Sequence, residues 1–353
     1  MNGRLNKVRR VLKEQQLDAY LVTKPENRMY LSGFSGSSGM LYITATQALL
    51  LTDFRYVEQA GDQAPLFEVV QYATPAIDTL NRVIMSSSAK RVGFEGNHLT
   101  VQQFNDFSQH THEVEWIPLN IDKLRCVKNE DEVALLRKAA AIADAAFLHI
   151  LSFIKPGVCE RDIGIELDVY MRRMGATKNA FDFIVASGVR SALPHGLASS
   201  KVIQTGEMVT LDFGCVFQHY HSDITRTVAV GEVPPTLQHI YRIVAQAQQV
   251  VLESIRPGLK CAAVDKIARD IITAHGYGQY FGHGLGHGVG LAIHEEPRLS
   301  PSDDTFLEPG MIVTVEPGIY IPNVGGVRIE DMILITADGC ETLAHSSKDF
   351  IQL

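Results

Sequence analysis

Four carboxylates stand at matching places in the second part of the chain: Asp212 and Asp223, then Glu316 and Glu330. Val209-Thr210-Leu211-Asp212-Phe213-Gly214 returns 104 residues later as Val313-Thr314-Val315-Glu316-Pro317-Gly318. Asp223-Ile224-Thr225 returns 107 residues later as Glu330-Asp331-Met332. These are apolar, β-rich segments, and hairpins built from them would set Asp212 opposite Asp223 on one face, and Glu316 and Glu330 likewise. Four ionised carboxylates converging between two half-sheets would repel one another and each would lose much of its hydration. Two divalent cations, four positive charges against four negative, resolve that. The competing reading, surface carboxylates at strand ends, makes the repeat an accident. A metal site commonly includes an imidazole. Gly282-His283-Gly284-Leu285-Gly286-His287-Gly288 offers two and His294 a third, all within 12 residues. At least one of these histidines is expected to be a ligand, on a backbone that its glycines allow to bend and approach closely.

Other chemistries that these phrases suggest fail on single residues. A phosphate-cradling G-x-G-x-x-G from Gly282 needs glycine where His287 stands. His294-Glu295-Glu296-Pro297-Arg298 is not a zincin helix, because its fifth position is arginine and Pro297 breaks the helix. The Gly33–Gly39 loop is not a nucleophile elbow, since Ser37 occupies the place of the second glycine.

The elements that position these residues call for two domains, since 353 residues exceed what one core usually serves. Residues 1 to about 120 alternate helical and strand patterns, as a three-layer α/β domain does. Leu17–Val22 and Met40–Thr52 are strand-like, the second with a break near Thr44–Gln47. A linker is expected near Pro118-Leu119-Asn120, and a long helix from an Asn129 cap through Leu151. Beyond it, Ile154-Lys155-Pro156-Gly157 recurs 101 residues later as Ile255-Arg256-Pro257-Gly258, and each copy leads into a helical pattern closed by glycine. A net charge of -8 without a basic cluster argues against nucleic acid. No run of about 18 apolar residues calls for a membrane, and the basic N-terminus has helical spacing rather than a signal-peptide stretch. Five scattered cysteines without a CxxC pair read as reduced, packed thiols. The chain reads as cytosolic.

The second part resembles the pita-bread metallopeptidases, which include methionine aminopeptidases, aminopeptidase P and proline dipeptidases. The likeness rests on Leu211–Gly214, Ser222–Arg226, His294-Glu295, Val315–Gly318 and Gly326–Glu330. The first 120 residues resemble the N-terminal domain of the proline-specific branch and of creatinase, a domain that methionine aminopeptidases normally lack. The resemblance implies an α+β chain. Residues 1–122 would be the smaller creatinase-type α/β domain, and 123–353 the pita-bread catalytic domain with its pseudo-twofold repeat. It implies hydrolysis of the bond before proline in small peptides with proline at the second position. The alternative is aminopeptidase P, acting on longer peptides.

Residue by residue, Asp212 would hold one metal, His287 and Glu316 the other, and Asp223 and Glu330 would bridge the pair. Glu316 would also shuttle a proton. His195 and His294 would contact substrate and stabilise the tetrahedral intermediate, and His283 would line the proline side. Arg298 stands where some proline dipeptidases read the substrate's carboxylate. Arg328, two residues before Glu330, should steady a carboxylate or reach the substrate. Phe181 and Tyr220 are either pocket walls or core. An oxygen-rich site suits Mn²⁺, with Co²⁺ or Zn²⁺ as alternatives. The resemblance also implies a homodimer. Two rivals on the same fold, a metal-free amidinohydrolase and a binding platform, predict broken ligand positions, and all five are intact.

Overall fold

The computed structural model describes residues 2–111 and 113–353, which divide into two compact units between Leu124 and Arg125. In the first, a six-stranded sheet runs in the order Glu68–Gln71, Ala48–Thr52, Met40–Thr44, Ala19–Val22, Arg91–Phe94, Glu115–Pro118. The break expected after Thr44 is a turn, because the Thr44 hydroxyl accepts from Gln47 N at 2.9 Å. Leu21, Tyr42, Leu51 and Val92 enter the core together with Leu80 and Ile84 of the helix Ala76–Ser87. The sequence offered no structural role for Gly33–Gly39, and the structure supplies one. Phe34 is buried, and buried Arg28 donates to the carbonyls of Gly36 and Gly39. Pro118 still pairs with Phe94 at the edge of this sheet.

The second unit repeats itself. The helix Glu130–Ile150 starts in a capping box, with Asn129 accepting from Glu132 N and Glu132 accepting from Asn129 N. Its Leu136, Ala139, Ala143, Phe147 and Ile150 recur at three- and four-residue spacing and form the buried stripe. Leu136, Phe147 and Ile150 each contribute about 1.5–3 kcal/mol if fully buried, and the two alanines less. The next helix is Glu160–Arg173, and its counterpart in the second half is Cys261–Ala274, preceded by Pro235–Ser254. The residue before each shorter helix makes a matching isolated bridge, Cys159 to Val202 and Lys260 to Phe306. The first half-sheet runs Ile224–Val230, Glu207–Phe213, Ile184–Ser187, all antiparallel. The second has Ile312–Val315 between Gly286–Gly288 and Asp331–Ile335, again antiparallel. Each half-sheet has its own core: Phe147, Leu167 and Leu211 in one, Ile240, Val264 and Val313 in the other. All five cysteines are free thiols. Among the described residues, no helix is long and apolar enough to cross a membrane.

Candidate metal centre

Strand alternation decides what leaves the core. Along Glu207–Phe213, Val209, Leu211 and Phe213 are core residues, so Thr210 and Asp212 emerge on the opposite face. Val313 and Val315 do the same for Thr314 and for Glu316, one residue past the strand. Asp223 and Glu330 immediately precede the strands Ile224–Val230 and Asp331–Ile335. Val315 pairs with Asp331, which brings Glu316 and Glu330 together at the end of that ladder. The first half departs from the expected direct opposition: Asp212 stands opposite Thr225. Asp223 is therefore diagonal to Asp212, still on its face because the offset is two residues. The hairpin continues past the strand ends, with Ser222 N donating to Cys215 O at 2.8 Å. Gly214 is required there, since a Cβ would lie 1.8 Å from Ser222 O. Thr225 then bridges to Glu330 and joins the two half-sheets.

Asp212, Asp223, His287, Glu316 and Glu330 line one cavity of about 410 Å³, and so do His195, His283, His294, Arg298 and Arg328. His287 is buried, with Nε2 at 3.6 Å from Asp223 Oδ2 and 3.4 Å from Glu316 Oε1. Its Nδ1 is 3.0 Å from Gly288 O, which can only accept, so Nδ1 carries the proton and Nε2 keeps its lone pair. Burial and then the neighbouring His294 push His287 down to about 3, so the ring is neutral and these contacts are not ion pairs. A lone pair facing two carboxylates is repulsive unless a cation lies among them. Burial first, then the surrounding carboxylates, holds Asp223 and Glu330 well above the usual carboxylate range. Burial raises Glu316 to about 7. Asp212 Oδ1 is buried with no hydrogen-bond partner among the described residues. Ligand atoms of Asp223, His287 and Glu330 all lie within 4.8 Å of one another. A cluster of hard oxygens, one lone-pair nitrogen and an orphaned buried oxygen fits divalent cations.

A surrounding shell orients these groups. The Thr225 hydroxyl donates to Glu330 Oε2 at 2.6 Å, and the Thr314 hydroxyl donates to Glu316 Oε1 at 3.0 Å. Arg328 is buried, and its nitrogens are spent on the protein. Nη2 reaches Asp212 Oδ2 at 2.6 Å, Nε the Thr225 hydroxyl at 3.1 Å, and Nη1 the Tyr320 hydroxyl at 2.8 Å and Pro194 O at 3.2 Å. The strand carrying it ends at Arg328, before Glu330, yet both side chains still face the cavity. Tyr320 donates to His283 Nε2 at 2.8 Å, because His283 Nδ1 gives its proton to Gly284 O. Burial lowers His283 to about 4, so it presents a neutral ring with both nitrogens engaged.

Sequence reasoning missed Thr225, Thr314 and Tyr320. Both threonines lie two residues from a carboxylate, a same-face spacing that could have revealed them. Tyr320 carries no such signal. Phe181 lines the cavity, whereas Tyr220 is a core residue whose hydroxyl donates to Glu132 Oε1 at 2.9 Å. His195, His294 and Arg298 are exposed at the cavity. The rings of His294 and His287 meet edge to face with centroids 4.3 Å apart. Arg298 is the cross-strand partner of His287, which puts both on one face. Among the described residues its guanidinium has no carboxylate or hydrogen-bond partner, while its backbone N donates to Asp303. Glu295, which follows His294 and opens the strand that carries Arg298, is buried against Arg125 Nε at 3.1 Å and Lys128 Nζ at 3.2 Å.

The model of metallopeptidase family M24 matches residues 134–337, and that of the creatinase/prolidase N-terminal domain matches residues 4–127. The chain belongs to metallopeptidase family M24. An uncharacterized peptidase of Bacillus subtilis is 47% identical, covering 99% of this chain and all of the relative. The Xaa-Pro dipeptidase of Pyrococcus furiosus is 39% identical over 99% of this chain and 100% of its own. The solved Xaa-Pro dipeptidase from Bacillus anthracis superposes with a TM-score of 0.98 at 48% identity, covering 99% of both chains. Membership of M24 implies divalent metal ions, with which the donor set of this cavity accords.

Proposed function

We propose that this M24 chain is an Xaa-Pro dipeptidase, which hydrolyses the bond between an N-terminal residue and proline. The observation that carries the reading is Arg298, a guanidinium without a partner among the described residues, on the cavity face beside His287. A dipeptide places a carboxylate directly after proline, and a longer peptide places a neutral amide there. The names of the Pyrococcus furiosus and Bacillus anthracis relatives support the same substrate class.

Asp212, Asp223, His287, Glu316 and Glu330 would hold two divalent ions, with Asp223 and Glu330 shared between them. Oxygen-rich donors favour Mn²⁺, with Co²⁺ or Zn²⁺ as alternatives. Bound there, the ions supply an acidified water and polarise the scissile carbonyl. Water adds across the amide, its oxygen staying with the new Xaa carboxyl group while a proton goes to nitrogen. Glu316 carries that proton to the departing proline nitrogen. His195 and His294 donate to the oxygen on which negative charge develops. His283, with both nitrogens engaged, offers proline a ring rather than a polar group. Arg328 steadies Asp212 rather than reading substrate, since four of its five N–H groups already go to Asp212, Thr225, Tyr320 and Pro194.

We also read residues 1–122 and 123–353 as the two domains, and the chain as a cytoplasmic homodimer; sedimentation as a fully active monomer would refute the dimer. The function itself is tested by hydrolysis of an Xaa-Pro dipeptide and an Xaa-Pro-Xaa tripeptide before and after chelation. A higher kcat/KM on the dipeptide, lost on chelation and restored by Mn²⁺, is expected. Preference for the tripeptide would favour an aminopeptidase, and full activity without bound metal would overturn the metal reading.

A further inference from the structure

The loop that presents His195 is gripped by a carboxylate for which the chemistry above has no use. Glu160 opens the helix Glu160–Arg173, and its side chain is 0% exposed. Its Oε1 accepts from both the backbone N and the hydroxyl of Ser187, each at 2.8 Å. Its Oε2 accepts from the Ser199 hydroxyl at 2.6 Å, from Ser199 N at 3.2 Å, and from Arg190 Nη1. Ser187 ends the strand before the loop and Ser199 lies just beyond it, so one carboxylate ties both ends of the segment that contains His195. Arg190 fastens the middle, with Nη2 donating to Leu197 O at 2.8 Å, while Leu197 N donates to His195 O at 2.9 Å. Lys201 backs the grip from outside, reaching the Ser187 hydroxyl at 2.7 Å and Glu207 Oε2 at 2.7 Å.

The other half of the repeat has a similar arrangement at a different position of its helix, with the arginine on the helix rather than on the loop. Asp265, on the helix Cys261–Ala274, is buried and accepts from Arg269 Nε at 2.7 Å, Arg269 Nη2 at 2.8 Å and Leu285 N at 3.0 Å. Arg269 in turn donates to Phe281 O at 3.0 Å and to His283 O at 2.9 Å. In each half an acidic residue on the corresponding helix, paired with an arginine, holds the backbone of a loop carrying a cavity histidine.

We propose that Glu160 and Arg190 are positioning residues for His195, a clamp that fixes its imidazole against the substrate without either residue touching substrate. The proposal rests on the reading of His195 as a substrate-contacting group. Buried charge-assisted bonds hold a backbone more tightly than solvent-exposed ones, and a misplacement of about 1 Å at a reacting group costs up to about a hundredfold. Arg190 is the better probe, because its side chain is 24% exposed and its loss leaves Glu160 four donors. Lysine at 190 could reach Glu160, but it cannot hold Leu197 O at the same time as a guanidinium fork does.

The test is a double-mutant cycle on the metal-loaded enzyme with an Xaa-Pro dipeptide, comparing wild type, His195→Ala, Arg190→Met and the double variant. Arg190→Met should lower kcat by about tenfold with KM and metal content little changed, and Arg190→Lys should restore only part of it. In the His195→Ala background the same change should cost less than about twofold, because its effect passes through that ring. A slow His195→Ala enzyme in which Arg190→Met still takes its full factor would overturn the clamp alone. So would an Arg190→Met enzyme with wild-type kcat. A His195→Ala enzyme with wild-type kcat would instead overturn the role of His195, and the purpose of the clamp with it.

Discussion

Arg298→Ala separates recognition of a dipeptide from the hydrolytic machinery. The guanidinium lies on the face of His287, its cross-strand partner, and is exposed with no protein partner among the described residues. A hydrogen bond to a charged group contributes about 1.5–3 kcal/mol, and exposure to water places this one near the lower end. At about 1.4 kcal/mol per factor of ten, the loss in kcat/KM on Xaa-Pro should be about tenfold. The control substrate is Xaa-Pro amide, identical except that its carboxylate is neutralised. On it the variant should lose less than about twofold, so the acid-to-amide preference should fall by most of the tenfold. Folding stability should change by less than about 0.5 kcal/mol, because an exposed side chain with no partner is removed. Steady-state kinetics on both substrates, with thermal melts alongside, read all three quantities. Equal losses on acid and amide would refute the argument and make Arg298 a structural residue, whereas no loss on either would put the carboxylate reader elsewhere in the cavity.

Two further outcomes follow from the carboxylate cluster. Asp223, Glu316 and Glu330 have folded values above their ordinary ones, so what they contribute to the metal-free fold is complete at low pH and lost as pH rises through the raised values, about 7 for Glu316. His283 and His287 have depressed values, so their contribution is already complete above about 6.5 and adds no slope there. Melts of chelated protein should therefore show Tm falling from about pH 6.5 to about pH 8 while the metal-loaded form holds, and a gap that does not widen would contradict the burial argument. Glu330→Ala should empty both metal positions and Asp212→Ala only one, which metal analysis after dialysis would show. Equal stoichiometry in the two variants would remove the bridging role.

Much of this site was legible because polar residues interrupt apolar strands at repeating places. Asp212 between Leu211 and Phe213 must leave the core by alternation alone, and Glu316 after Val315 follows the same rule. Register was not legible, because it is set where the hairpin continues beyond its strands. The close approach of Gly214 to Ser222 O belongs to a pairing in which Asp212 meets Thr225, and nothing in the spacing of Asp212 and Asp223 announces it. Arg298 shows how far this matters. Its place two residues after Glu296 says nothing of direction until the pairing with His287 turns it toward the cavity. Arg328 could steady a carboxylate or reach substrate, and its bond to Asp212 appears only once Tyr320, Thr225 and Pro194 are seen placed around its guanidinium. Glu160 was the least visible. At the first position of a helix an acidic residue is what the helix dipole favours anyway, so its sequence context is accounted for without any further role. Its partners lie 27 to 39 residues away, on a strand end and a loop, and that distance hides a buried carboxylate whose hydrogen bonds run to the loop of a cavity histidine.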